Sequence, residues 1–182
     1  MSGYYHADEQ IWLQLDEPEA EVLASLVDQL QEMVRPGEPA SGDPLDELVG
    51  IDAQATPPPD AAQARLFPDA YREDPEAADE FRRFTERELR AARLEQIAAF
   101  RATLSDAVGD ATLLDQASTA ASLGVLNDLR LVLGTRLGLQ TDEDNEPGAM
   151  DPEDPRQPLF AAYHWLTWLQ SQLLAAMHPD GF

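Results

Sequence analysis

A chain of 182 residues with a hydrophobic fraction of 43% can bury one core, which excludes global disorder despite a formal charge of −23. It has no cysteine and no lysine, which excludes disulfides, thiolate metal sites, thiol nucleophiles, Schiff-base chemistry and a P-loop lysine. The acidic excess disfavours direct contact with nucleic acid or anionic membrane, because binding phosphate requires positive charge to displace counterions.

The charge is unevenly spread. Residues 1–62 hold 14 acidic side chains and 1 basic one, whereas residues 63–101 hold 9 and 8. All 12 basic residues are arginine, which with abundant alanine reads as the codon bias of a high-GC genome. The first six residues lack the basic and apolar regions of a signal peptide, and no apolar run approaches the ~20 residues of a membrane span. A cytoplasmic protein with no membrane contact is therefore expected.

In chain order, Gln10–Leu15 alternates as a short strand. Asp16 caps a helix over Pro18–Val34, whose stripe runs Val22, Leu23, Leu26, Val27, Leu30, Met33 and Val34. A short capped helix is expected over Asp43–Gly50, and Thr56–Pro59 reads as a stiff connector. Asp74-Pro75 opens the longest helix, to about Val108, with Phe81, Phe84, Leu94, Ile97, Leu104 and Val108 as its apolar stripe. Ala111–Leu114 reads as a second strand that pairs with Gln10–Leu15. Asp115 caps a helix through Leu137 that Gly138 stops, residues 140–157 form a mobile acidic loop, and Leu159–Met177 is the final helix. The fold class is mainly α: about five helices in an orthogonal or antiparallel bundle, with a short two-stranded β ribbon, in one domain over 1–182.

No catalytic residue, metal site or cofactor is expected. His6, His164 and His178 lack a second ligand at helical spacing, and His164 reads as a packing residue. Asp142, Asp144, Glu146 and Glu153 imitate a calcium loop, but Pro147 occupies the position where a glycine must turn.

Residues 82–93 carry five arginines against Glu86 and Glu88, and Arg83, Arg87 and Arg90 fall on one helical face. Internal pairing with Glu80, Glu86 and the acidic loops is the first reading of this stretch. A guanidinium face for a partner is the second, with Arg83, Arg87, Arg90 and Trp168 as candidate partner-binding residues. Leu126–Gly138 has leucine on nearly every side, so it should be central, enclosing a structural polar network of Asn127, Asp128, Arg130 and Arg136. Gly134 in mid-helix suggests close approach of another backbone.

Four blocks carry a resemblance: Ala64–Tyr71, Glu80–Thr85 with Leu89-Arg90, Leu126–Gly138, and Tyr163–Gln170. Together they resemble a domain-of-unknown-function family of small acidic helical proteins from high-GC Gram-positive bacteria. The resemblance implies no enzymatic activity. It implies a transcriptional regulator, in some members responsive to oxidative stress through a cysteine pair and acting with an alternative sigma factor. This chain has no cysteine, so a thiol switch is not carried over, and Ser122 stands where the family pattern implies tryptophan.

The resulting expectation is a non-enzymatic regulatory protein acting by protein–protein contact, with a sigma factor or other transcription component as partner. A DNA-binding regulator using the Arg82–Arg93 helix is the alternative. An enzyme with a small-molecule pocket converging on Asn127, Arg130, Arg136 and His164 ranks third.

Overall fold

The computed structural model describes residues 2–35, 60–70, 74–141, 143–146, 148 and 150–179. The helix expected over Asp43–Gly50 and the Thr56–Pro59 connector lie outside them.

Strands β1 (Gly3–Ala7) and β2 (Gln10–Gln14) form an antiparallel hairpin, with Ala7 opposite Gln10. The two-residue turn is Asp8-Glu9, with φ of 51° and 60°. This left-handed pair suits the twist of a hairpin, although Asn-Gly or Asp-Gly is its usual composition. Strand β3 (Thr112–Leu114) pairs with the other edge of β2. The ribbon expected between Gln10–Leu15 and Ala111–Leu114 therefore forms, and β1 adds a third strand.

Helix α1 (Glu17–Val34) starts on a capping box. The Asp16 carboxylate accepts from the Glu19 backbone N–H at 3.0 Å, and Glu19 Oε2 accepts from the Asp16 N–H at 3.1 Å. It buries Ala20, Leu23, Val27, Leu30 and Val34, whereas Val22, expected on the stripe, faces solvent. Helix α2 (Ala61–Leu66) adds to the expected set; Asp60 caps it, accepting from Ala62 N–H at 2.7 Å and Gln63 N–H at 3.0 Å. Helix α3 (Pro75–Asp106) is the longest, α4 (Gln116–Leu137) follows β3, and α5 (Gln157–Met177) comes last. A short 3₁₀ turn, Glu143–Asn145, lies between α4 and α5.

Helix α4 is the hub, packing against α1, α2, α3 and α5. Leu126, Leu129, Val132, Leu133 and Leu137 join Val27, Leu30, Phe100, Leu166, Leu169 and Leu173 in one core cluster. Each such side chain contributes about 1.5–3 kcal/mol by leaving water. Gly138, at φ 77°, ends α4 as expected. At Gly134 the neighbour is an aromatic ring and not the expected backbone: an added Cβ would meet Tyr163 Cε2 at 3.4 Å.

The two halves of α3 differ. Its C-terminal half buries Ile97, Phe100, Thr103 and Leu104, whereas its N-terminal half buries only Ala78, Arg82 and Arg90. Phe81 and Phe84, expected on the buried stripe, are 44% and 55% exposed.

Candidate functional site

The inward face of α3 continues from Leu104, Phe100 and Ile97 through Arg93, Arg90, Glu86 and Arg82, each three or four residues from the next. Arginine thus occupies positions where an apolar residue would extend the stripe, and each guanidinium is matched to acceptors on other elements. Glu86 lies between two of them, accepting from Arg82 Nη1 at 3.1 Å and from Arg90 Nη2 at 2.6 Å. Arg82 also pairs with Asp69. Burial alone would lower the Arg82 pKa, but hydrogen bonds and charge from Glu86 and Asp69 outweigh it, so the pKa is raised.

Arg90 Nη1 donates to the carbonyls of Met33 at 3.3 Å, Val34 at 2.9 Å and Arg35 at 3.2 Å, closing the C-terminus of α1. A cation there also complements the helix dipole. Arg93 pairs with Asp128 of α4 and donates to the Leu66 carbonyl at 3.0 Å. The guanidinium groups of Arg90 and Arg93 lie over Phe67, at 4.3 and 5.4 Å from the ring centroid. Three arginines therefore lock α1, α2 and α4 to α3.

Internal pairing thus holds for Arg82, Arg90 and Arg93. The candidate face of Arg83, Arg87 and Arg90 is corrected: Arg90 is only 8% exposed, Arg83 is half-buried, and only Arg87 is exposed. Helical spacing sets those three on a common side, but the buried direction of α3 runs through Arg90.

Among its charged residues, the N-terminal half of α3 also presents large apolar ones. Phe81, Phe84 and Leu89 are exposed, and Phe81 and Leu89 flank a notch of about 30 Å³ whose walls include Phe67, Pro68, Ala78 and Arg82. Sequence reasoning misses this notch because it assigns both phenylalanines to the core. Extending the Ile97–Phe100–Leu104 stripe towards the N-terminus would have turned them outward.

The polar network expected in Leu126–Gly138 forms in part. Asp128 is buried against Arg93, and burial raises its pKa while the Arg93 hydrogen bond and charge oppose the rise. Arg130 reaches α5, donating to Thr167 Oγ1 at 3.0 Å and to Gln170 Oε1, with Tyr163 beneath it. Asn127 and Arg136, expected inside, are corrected: both are exposed, and Arg136 lies 3.6 Å from Met33 Sδ. Nine residues apart on a helix of about 3.6 residues per turn, they face opposite sides of α4.

His164 stacks edge-on with Phe160 at 4.4 Å. Its Nε2 is enclosed without a hydrogen-bond partner among the described residues. Asp144, part of the calcium imitation, accepts from the backbone of Gln140 at 3.1 Å and Thr141 at 2.9 Å, and those bonds hold its pKa below the ordinary value. Asp142 and Pro147 lie outside the described residues. No group of three or more metal-ligating side chains assembles among the described residues, and no helix there is long and apolar enough to cross a membrane. Trp168 is 45% exposed on α5.

A family model described as a domain of unknown function (DUF2017) matches residues 1–177. No curated protein and no solved structure matches the chain.

Proposed function

Because the chain belongs to the DUF2017 family, whose description names no chemistry, we propose a function from its own surface. It is a non-enzymatic regulatory protein that docks on a cationic protein surface. The observation that carries this reading is the sorting of charge. The molecule bears −23, and Arg82, Arg90 and Arg93 are paired with Asp69, Glu86 and Asp128, so the whole acidic excess rests on the remaining side chains. Such a field steers a basic partner into encounter and repels nucleic acid.

The partner class follows from the family resemblance: a sigma factor or another transcription component, whose DNA-facing surfaces are basic. Direct DNA binding through the Arg82–Arg93 helix is the weaker reading, because three of its five guanidinium groups face the protein interior. The test is purification of the tagged protein from its native cell at low ionic strength. Recovery of one stoichiometric basic protein, released as salt rises, supports the reading. Recovery of the protein alone, or a low-salt gel-shift complex with promoter DNA, contradicts it.

A further inference from the structure

We propose that the notch beside α3 is the docking site, and that its occupant is an apolar side chain carried on a basic amphipathic helix of the partner. This rests on the cationic-partner reading above and adds the surface and the recognition mode. Three large apolar side chains, Phe81, Phe84 and Leu89, are 44%, 55% and 49% exposed within nine residues of one helix. Exposed aromatic clusters of this kind mark contact sites.

Between Phe81 and Leu89 the surface dips where Ala78 and Thr85 are small, and Phe67 and Pro68 close the far side. Ala78, Phe81, Thr85 and Leu89 run along the axis of α3 at three- and four-residue spacings. A groove with that direction accepts a second helix, ridge into groove. The wall also contains Arg82, 7% exposed, whose Nε has no acceptor among the described residues. An incoming carbonyl would satisfy that enclosed donor.

Charge decides the occupant. The notch is lined by the carboxylates of Asp69 and Glu86 beside Arg82, and the molecule as a whole carries −23. A second copy would bring that charge against its like, whereas a helix with a basic outer face meets a net charge of opposite sign.

The probe is a synthetic amphipathic peptide with a leucine stripe and lysine elsewhere, compared with a twin in which serine replaces each leucine. Titrated into the full chain, the leucine peptide should bind at least about tenfold tighter. Phe81→Ala with Leu89→Ala should reduce it to the level of the serine twin, and so, as a second variant, should Thr85→Gln in the notch wall. Trp168→Ala should leave the leucine peptide unchanged. Equal affinity for both peptides, or full binding by both notch variants, overturns the proposal. Concentration-dependent dimers that the notch variants abolish overturn it in favour of a second copy. A native partner retained by both notch variants sinks the docking site and leaves the cationic-partner reading standing; absence of any partner for the unaltered chain sinks the reading itself.

Discussion

Asp128 places a carboxylate in the core beside Arg93, and two opposed effects act on it. Burial raises its pKa above the usual 3.8, and the Arg93 hydrogen bond and charge cancel only part of that rise. With a raised folded-state pKa, the native state takes up the proton before the unfolded state does. Stability contributed by this group is therefore lost as pH rises through the folded pKa and regained on acidification towards 3.8. Asp128→Asn should flatten this component when denaturation midpoints of the two proteins are compared from neutral pH down to pH ~4. Parallel profiles would refute the assignment. Two other positions separate backbone cost from packing. At Gly134 a methyl group would meet the Tyr163 ring at 3.4 Å, an ordinary contact, so Gly134→Ala should stabilise by about 0.5–1 kcal/mol through helix propensity. Glu9 holds φ 60° without being glycine, so Glu9→Gly should stabilise by about 0.5–1 kcal/mol as judged by urea melts. Loss of stability in either variant would show a constraint beyond these contacts.

Helix α3 behaves as two elements joined end to end: an apolar-faced half in the core, and a half anchored by arginine. Arg90→Ala would leave three carbonyls at the end of α1 and half of Glu86 without their donor, and should cost about 2–4 kcal/mol. Arg87→Ala, on the exposed side, should cost less than about 1 kcal/mol. Similar losses at both positions would mean that the anchoring is not local to Arg90. The same helix shows what is legible in a sequence. Its start at Asp74-Pro75, the caps at Asp16 and Asp115 and the stop at Gly138 are dictated by local backbone chemistry and can be read directly. The core direction of its first half cannot, because hydropathy counts arginine as surface and phenylalanine as core. Here tertiary acceptors on α1, α2 and α4 reverse both assignments. Strand β1 escapes notice for a related reason, since Asp8-Glu9 lacks the glycine that usually marks a two-residue turn. Leucine on every side of α4 correctly marks the central helix, yet it does not reveal that Asn127 and Arg136 stay exposed on it.

At the scale of the molecule, Arg82 and Arg90 are buried, most of the described carboxylates lie outside, and an apolar notch sits on the N-terminal half of α3. Under the proposed docking, long-range attraction would set the encounter rate, and burial of Phe81 and Leu89 would set the lifetime of the complex. The affinity for the partner should therefore fall as salt rises, while loss of the notch residues should act mainly on the dissociation rate. The sharpest examination of this picture is a photo-crosslinking amino acid placed at position 89, on the notch, in the living native cell, followed by identification of whatever it captures. One basic protein, joined through a helical segment, is the expected adduct; capture of nucleic acid, or of nothing at position 89 while the same group at position 168 yields a protein adduct, would contradict it.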